Sequence, residues 1–368
     1  MGIQRNTCRN GGRIEIGRRC VLLGLAGTGI AAGCQRVRVT EHVPNGHWRE
    51  GVALPQAVQE IYPALFEGRI HVAGGFVAEN GAISGPTDAH FAFDRERGDW
   101  SEFPPLPNPR HHPHLVSFQG RLVAFGGFES PSADAVWQMQ SSGWALPPAE
   151  ERFVYYPPLQ AVDEYWAAFP SLPRPVGEAV TAIIGDHLHL AGGRRPAGEA
   201  NASWSDHTDT PGHFVLTSLG GQWETAAPMP TARNSAASAM IGEDWHVVGG
   251  RTVAGGNTGA HEVYDAREDR WRTAAPMPQG QGGLAAANVG SRLYAFGGEF
   301  FQPQPGGVYA EAWCYIPALD TWQPIPDMPS PRHGLGAVAM DDEIYVIGGA
   351  LGVGGRDTSA LVEIFKPI

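Results

Sequence analysis

An apolar run that ends in a Gly-Gly pair occurs six times in this chain. The last copy is EIYVIGG, from Glu343 to Gly349, and the earlier pairs begin at Gly74, Gly126, Gly192, Gly249 and Gly297. The copies follow one another at intervals of roughly 50 residues. A period of that length, with a strand in every unit, is typical of the blades of a β-propeller.

Each unit has further features at fixed places around its Gly pair. Arg110, Arg233 and Arg332 stand at the same distance before the first Gly of their units. A Gly-rich loop follows the pair, then a strand such as HEVYDA, and then a turn that leads into a Trp. These Trp residues are Trp100, Trp144, Trp223, Trp271 and Trp322. Four strands per unit make one twisted blade, and each Trp can fill the space between neighbouring blades.

A Pro-rich exit follows each Trp, as in Pro228-Met229-Pro230. Together with the Gly pairs and the spaced Trp residues, it resembles the kelch repeat family over residues 47–368. The resemblance implies an all-β chain folded as a six-bladed kelch β-propeller, with the first strand of each blade against the central channel. Propellers host many activities, so the fold alone selects no function.

The two ends of the repeat region complete each other. Trp48 is followed by Leu54-Pro55, the signature of a fourth strand, with no earlier strands of its unit before it. The last unit stops at a third strand, Leu361 to Phe365. We therefore predict that the segment around Trp48 completes the last blade and closes the ring, since closure removes exposed sheet edges.

Residues 1–33 predict an export signal. They contain five Arg and one Glu, and Arg18-Arg19 precede an apolar run that ends at Gly33. The run is too short to span a bilayer but suits a signal-peptide core, and the paired Arg resembles a twin-arginine signal. Ala31-Ala32-Gly33-Cys34 resembles a bacterial lipobox, which predicts acylation of Cys34. The alternative is a cleaved signal beside an incidental Cys.

The predicted organisation is a signal at residues 1–33, a linker at 34–46 and the propeller at 47–368. The predicted location is the periplasm or the outer membrane, with membrane contact only through the lipid at Cys34. Removing five Arg and one Glu with the signal takes the net charge from −12 to −16. That acidity argues against nucleic acid as a partner. Cys314, on a third strand, is predicted to be a small buried apolar residue.

Aligning the units on their Gly pairs predicts which side chains surround the channel mouth. The loop before each first strand and the loop after each Gly pair share one face, so their polar residues are expected to converge there. The candidate ligand-binding residues are Glu60, Arg110, His111, His112, Glu178, Arg194, Arg233, Arg251, Glu299, Arg332 and His333. Arg side chains suit carboxylates and sugar hydroxyls, and a concave polar mouth is the usual binding site. The alternative for Arg110, Arg233 and Arg332 is that they hold the blades together.

Three functions remain open for this mouth. The first is a binding protein of the cell envelope that holds a small polar ligand, a sugar or acidic metabolite. The second is a sugar mutarotase, because the chain is distantly similar to bacterial N-acetylneuraminate epimerase in fold, export and an inserted loop. Glu178, His112 and Arg110 or Arg194 are then the catalytic candidates, with acid–base and carboxylate-holding roles. The third is a protein-interaction scaffold. No cofactor is predicted.

Two other stretches raise separate questions. In Arg110-His111-His112-Pro113-His114, strand alternation would put His112 and His114 on one side and His111 on the other, which disfavours a metal site. The stretch 145–175 is an aromatic-rich insertion, predicted to join a fourth strand to the next blade on the mouth face. It is either a lid over the pocket or a loop packed on the rim. His71, His189 and His246 align with Tyr residues and predict packing.

Overall fold

The structure is a computed structural model that describes residues 44–151 and 165–368, and Asn45–Ile368 forms one compact unit. Within these residues the chain folds into six four-stranded antiparallel sheets, as the repeats predict. The predicted signal, Cys34 and most of the linker lie outside the described residues. The described part contains no helix long and apolar enough to cross a membrane.

The blades are numbered here in chain order, and their strands are given from the inside outwards. Blade 1 contains Ala64–Phe66, Arg69–Ala73, His90–Asp94 and Asp99–Phe103. Blade 2 contains His114–Phe118, Arg121–Phe125, Gly143–Leu146 and Ala167–Phe169. Blade 3 contains Val180–Ile184, His187–Ala191, His213–Leu216 and Glu224–Thr225. Blade 4 contains Ala237–Ile241, Asp244–Val248, His261–Asp265 and Arg270–Thr273. Blade 5 contains Ala285–Val289, Arg292–Phe296, Ala312–Ile316 and Thr321–Ile325. Blade 6 contains Gly336–Met340, Glu343–Ile347, Val362–Pro367 and Gly46–Glu50.

The loop after each Gly pair stands at one end of the propeller, and we call these loops hairpins 1 to 6 after their blades. Five of them form short two-stranded sheets: Phe76–Glu79 with Ala82–Pro86, Phe128–Glu129 with Gln138–Met139, Arg194–Pro196 with His207–Asp209, Glu299–Phe300 with Gly307–Val308, and Ala350–Gly352 with Arg356–Thr358. Hairpin 4 has a single bridge, between Arg251 and Asn257. Two short 3₁₀ turns complete the elements, at Trp204–Asp206 and Pro317–Leu319.

The N-terminal strand closes the ring as predicted. Gly46–Glu50 pairs antiparallel with the third strand of blade 6, with Trp48 opposite Phe365. The Trp48 ring packs 5.0 Å from that of Phe365 and 5.4 Å from that of Phe296 in blade 5. Its indole N–H donates to the Pro326 carbonyl. The first residues of the propeller therefore join its last two blades.

The core lies between the blades rather than at the axis. One cluster combines Phe296 and Cys314 of blade 5 with Val346 and Phe365 of blade 6. Cys314 is fully buried there on a third strand, as predicted. Each blade thus buries its faces against its two neighbours, as expected of a closed ring of sheets.

The prediction for blade 2 was wrong in one respect. Trp144 lies on the third strand, and the fourth strand is Ala167–Phe169, inside the predicted insertion. Trp166 supplies the indole that the other blades place at this point, donating to the Pro104 carbonyl. The insertion therefore joins the third and fourth strands, and antiparallel pairing puts that connection at the end opposite the hairpins. The described ends of that connection, Glu151 and Tyr165, therefore lie away from the mouth, and residues 152–164 lie outside the described residues. Phe153, Tyr155 and Tyr156 lie outside the described residues.

Candidate functional site

A ring of left-handed residues surrounds the axis at the hairpin end. One residue in the loop before each first strand has a positive φ, two positions before the strand in blades 2 to 6 and four positions before it in blade 1. These φ angles are 59° at Glu60, 53° at His112 and Glu178, 49° at Ser235, 70° at Gly283 and 59° at Gly334. Their peptide groups are linked from blade to blade, as in Glu60 N–H to the Gly334 carbonyl at 2.6 Å and His112 N–H to the Glu60 carbonyl at 3.0 Å. Four of the six are not glycine, although this conformation favours glycine. Retained strain of this kind is a common feature of functional sites.

Six charged side chains, one from each blade or its hairpin, form a closed ring of alternating type above these peptides. The consecutive N–O distances are 2.7 Å for Glu60–His112, 3.5 Å for His112–Glu178, 4.0 Å for Glu178–Arg251, 2.5 Å for Arg251–Glu299, 3.4 Å for Glu299–His333 and 3.7 Å for His333–Glu60. We call this the mouth ring. Its side chains are at most 15% exposed, so water screens these contacts weakly.

The two carboxyl groups of the ring with resolved pKa shifts are both ionised. Burial raises the pKa of Glu60, but the charge and hydrogen bond of His112, with His333 and Arg251, together lower it well below its usual value. Burial also raises the pKa of Glu178, and Arg194, His112 and Arg251 more than offset that effect. Both groups are therefore acceptors, and neither is a proton donor at neutral pH.

A second histidine fixes the protons of His112. His111 Nε2 donates to the Val136 carbonyl at 3.0 Å, and burial lowers the pKa of His111 well below its usual value. Neutral His111 therefore accepts at Nδ1, where His112 Nδ1 lies 2.8 Å away and must donate. Because His112 Nε2 faces the Glu60 carboxylate, it donates as well. Both ring nitrogens of His112 are therefore engaged, Nδ1 with His111 and Nε2 with Glu60.

The alternation expected for this histidine run was wrong. The first strand of blade 2 begins only at His114, and His112 has the left-handed φ described above. His111 and His112 therefore contact each other, while His114 stacks on Tyr62 with ring centroids 5.2 Å apart. Within the described ranges, no three His, Cys, Asp or Glu side chains are placed to hold a metal ion.

Arg194 lies beside the mouth ring in an aromatic box. It is fully buried, and its Nε forms an ion pair with Glu178 Oε2. Its guanidinium carbon lies 5.7, 5.1 and 4.8 Å from the ring centroids of Phe128, Trp137 and Trp204. Both terminal amino groups, Nη1 and Nη2, lack a hydrogen-bond partner in the described structure. A buried cation with unused donors is suited to an anionic or hydroxyl-bearing group.

The arginines that precede the first strands lie elsewhere. Arg233 Nε donates to the Gly249 carbonyl at 2.8 Å, and its Nη groups contact the Val247 carbonyl and the Glu262 carboxylate. Arg332 repeats this pattern in blade 6, and Arg110 bonds to the Gly126 carbonyl and Glu129 in blade 2. Their guanidinium groups thus bond within their own blades, as the structural alternative expects, although Nε of Arg110 has no hydrogen-bond partner in the described structure. A role for them in ligand binding or catalysis stays a prediction.

The structure therefore divides the predicted residues into two sets. Those that converge at the mouth are Glu60, His111, His112, Glu178, Arg194, Arg251, Glu299 and His333. Arg110, Arg233 and Arg332 do not join them. Sequence alignment missed the aromatic residues of hairpins 2, 3 and 5, namely Trp137, Trp204 and Phe301, because loop lengths there vary between units. Phe301 covers Arg251 at 5.5 Å.

The free space in the mouth is small. Beneath the mouth ring lies a cavity of about 10 Å³, lined by Glu60, Tyr62, Ser235, Gly283 and neighbouring residues. That is about the space of one water molecule, whereas pockets for small ligands usually measure about 300 Å³ or more. A sugar would therefore require the hairpins to move apart.

The six sheets and the converging loops define a six-bladed β-propeller with a charged mouth. The kelch motif family matches residues 282–329, which include most of blade 5. The chain therefore contains a kelch motif within a six-bladed β-propeller.

Kelch-like protein terF of Aspergillus terreus (strain NIH 2624 / FGSC A1156) is 29% identical over 357 residues, which cover 92% of this chain and 72% of the relative. Kelch-like protein 23 of Pongo abelii is 24% identical over 295 residues, covering 80% of this chain but only 46% of the relative. The solved structure of YjhT has a TM-score of 0.66 at 15% identity, covering 86% of this chain and 95% of YjhT. At that identity the likeness shows the fold alone.

Proposed function

We propose that this chain is a protein-interaction module that binds its partner with the hairpin end of the propeller. The observation that carries the proposal is a group of exposed apolar side chains on adjacent hairpins. Ile83 on hairpin 1, Phe301 on hairpin 5 and Leu351 on hairpin 6 are 39%, 48% and 41% exposed. Clusters of exposed large apolar residues mark interaction sites on proteins of this kind.

The three hairpins form one continuous surface, which we call the apolar sector. A Cβ added at Gly355 of hairpin 6 would lie 2.5 Å from Ile83 Cδ1, so these two hairpins touch. Gly306 of hairpin 5 lies in the same way beside Val353 of hairpin 6. The Gln59 side chain ties the base of blade 1 to hairpin 6 through Gly355 and Thr358. The sector is therefore held in place before a partner arrives, which lowers the entropic cost of binding.

The distribution of charged residues among the hairpins also favours the apolar sector as the binding surface. Hairpins 2 and 3 carry seven charged residues, namely Glu129, Asp134, Arg194, Arg195, Glu199, Asp206 and Asp209, whereas the three hairpins of the apolar sector carry four, namely Glu79, Glu299, Arg356 and Asp357. Interfaces have cores depleted in charge and polar rims. The apolar sector suits the core of an interface, and hairpins 2 and 3 suit its rim.

Photo-crosslinking from the native host tests the proposal. A photoreactive phenylalanine analogue would replace Phe301 or Leu351, with Val52, 47% exposed and outside the hairpins, as the control position. We expect one adduct of the same mass from both hairpin positions, competed away by unlabelled protein. No adduct, or an equal adduct at Val52, would overturn the proposal.

A second candidate is the binding of a small acidic metabolite or sugar at the mouth, with sugar mutarotation as its catalytic form. The unused amino groups of Arg194 favour it, because they can receive a carboxylate beside Glu178 and His112. In a mutarotase, His112 would supply the acid and the Glu178 carboxylate the base. The hairpins would have to open to admit the ligand.

A thermal-shift screen of sialic acid and uronic acids, followed by NMR of anomer interconversion, tests this candidate. Binding predicts a shift that Arg194→Lys reduces, and catalysis predicts anomer exchange above background that Glu178→Gln abolishes. The absence of both leaves the interaction proposal standing by itself. Positive results for wild type and both variants alike would exclude the assigned residues.

Export and a lipid anchor at Cys34 complete the proposal and rest on the sequence pattern alone. Metabolic labelling with a palmitate analogue should mark the wild-type protein and not Cys34→Ser. Equal labelling of the two would exclude Cys34 as the acylated residue.

A further inference from the structure

The junction of blades 3 and 4 and the junction of blades 4 and 5 have the same hydrogen bonds, each around the peptide group of one Ala residue. The Ala227 carbonyl, at the exit of blade 3, accepts from Trp271 of blade 4 at 2.8 Å and from His213 Nδ1 of blade 3 at 3.0 Å. The Ala227 N–H donates to Asp269 of blade 4, which also accepts from the Tyr264 hydroxyl.

The junction of blades 4 and 5 repeats every part. The Ala275 carbonyl accepts from Trp322 at 2.8 Å and from His261 Nδ1 at 3.0 Å. The Ala275 N–H donates to Asp320, which accepts from the Tyr315 hydroxyl. We call each such arrangement a clamp, because it joins the peptide exit of one blade to the fourth strand of the next.

Each clamp contains a second histidine that makes it dependent on protonation. His189 Nδ1 lies 2.9 Å from His213 Nε2, and His246 Nδ1 lies 2.8 Å from His261 Nε2. Nδ1 of His213 and of His261 donates to the Ala carbonyl. The neutral forms of these two residues therefore accept at Nε2, and His189 and His246 donate to them. If both histidines of a pair were doubly protonated, two N–H groups would face each other across this contact, so full protonation of the pair is incompatible with the clamp.

The surroundings favour the neutral forms. Burial, with a smaller repulsion from the partner histidine, lowers the pKa of His189 and His246 to about 3. Burial lowers the pKa of His213 and His261 to about 4, against the opposing effect of the carbonyl hydrogen bond. The charged groups that face the pairs are His187 and Asp269 in the first clamp, and Asp320, Arg233 and Arg272 in the second.

We infer that the propeller contains an acid-sensitive seam, so that protonation of the two histidine pairs separates blades 3, 4 and 5 before the other blades. The sign follows from proton binding. The opened junction takes up protons below the ordinary histidine pKa of about 6.5, whereas the closed clamp does not, so acid favours opening. Blade 1 has the same geometry, with His71, His90 and the Pro104 carbonyl, so its junction with blade 2 is expected to open in acid as well.

The other three junctions provide internal controls. The positions of His246 and His261 are taken by Val123 and Gly143 in blade 2, Tyr294 and Ala312 in blade 5, and Tyr345 and Val362 in blade 6. Beside every junction, the exit segment of the preceding blade nevertheless makes an equivalent backbone hydrogen bond to its own blade, so protection next to the junctions can be compared at six matched amides. The donors are Leu54, Leu106, Leu172, Met229, Met277 and Met328.

Hydrogen exchange on the full chain tests the inference, with incubation at different pH values and labelling at one fixed pH. Between about pH 6.5 and about pH 5, protection of Met229 and Met277 should fall about tenfold or more, because at least one proton is taken up on opening. Leu54, Leu172 and Met328 should change by less than about threefold. An equal fall at all six amides would overturn the seam.

A matched double variant provides the second test. His246→Tyr with His261→Val gives blade 4 the pair that blade 6 carries, and it should make protection of Met277 independent of pH while leaving the response of Met229 intact. If Met277 keeps its acid response, the histidine pair is not the cause. If the variant does not fold, the comparison of the six amides in wild type still decides.

Discussion

Two sets of buried arginines in this propeller have opposite surroundings. Arg332 lies within its blade and donates to the carbonyls of Gly348, Ser330 and Val346 and to the Glu363 carboxylate. Arg194, equally buried, has one carboxylate and three aromatic faces around it, and two of its amino groups have no hydrogen-bond partner among the described residues.

The difference shows which arginines the fold requires. Arg332 satisfies carbonyls that would otherwise be buried without a donor, so its burial stabilises the blade. Arg251 instead contacts Glu178 of blade 3 and Glu299 of blade 5, and Arg194 pairs with Glu178 of its own blade beneath aromatic rings of hairpins 2 and 3. Part of the hydrogen-bonding capacity of both arginines is unused. We therefore assign the first set to stability and the second to binding, and the predictions below test that division.

The largest effect is expected inside a blade. Arg332→Gln should lower the free energy of unfolding by about 3–5 kcal/mol, because Glu363 is left as an unpaired buried charge. Blade 5 provides the precedent for the substitution: Gln281 stands at this position and donates to the Gly297 carbonyl at 3.0 Å. Denaturant unfolding measures the loss. Adding Glu363→Gln should recover more than half of it, and a loss below about 1 kcal/mol for the single variant would contradict the division.

The second largest loss of stability is expected for the strand Gly46–Glu50, which closes the ring. Trp48→Ala removes a half-buried ring that packs on Phe365 and Phe296, together with the hydrogen bond to Pro326. We expect a loss of about 2–3 kcal/mol, somewhat below that of a fully buried Trp. His47→Ala, on the exposed side of the same strand, is the control and should change stability by less than about 0.5 kcal/mol. Equal effects would mean that the strand does not hold the ring closed through its Trp.

A substitution at the mouth should raise the stability of the protein, whereas the two substitutions above lower it. Ser235→Gly replaces a residue at φ 49° by the type that blades 5 and 6 use at the same place. It should raise stability by about 0.5–1 kcal/mol, because the left-handed strain is removed at the cost of one buried hydrogen bond to Asn234. Thermal unfolding measures the gain. A loss of stability would show that the left-handed ring is not strained.

The sequence locates the residues of both sets, but it does not give the contacts that the mouth residues make with one another. Arg110, Arg233 and Arg332 stand at one fixed distance before their Gly pairs, and their carbonyl partners are fixed by the same spacing, so alignment finds both. The closing strand was found for the same reason, through Trp48. The mouth ring depends on how six loops of different length approach one another, and no single unit specifies that.

Two misses had signals that could have been used. The third strands of blades 1, 3 and 4 all begin with His, in the same units whose second strands contain His71, His189 and His246. That coincidence indicates paired histidines rather than packing alone. In blade 2, Trp144 follows Gly126 by only 18 residues, whereas the Trp residues of blades 1, 3, 4 and 5 follow the first Gly of their pairs by 22 to 31, which leaves little room for a third strand before Trp144.

The central claim is that the apolar sector binds and the blades support it, and one paired measurement tests it. The triple variant Ile83→Ser, Phe301→Ser, Leu351→Ser is compared with a control that carries Val52→Ser and Leu65→Ser, for unfolding free energy and for formation of the crosslinked complex. We predict that both proteins unfold within about 1 kcal/mol of wild type, and that only the triple variant loses the complex. A triple variant that keeps the complex, or a control that loses it equally, would contradict the account.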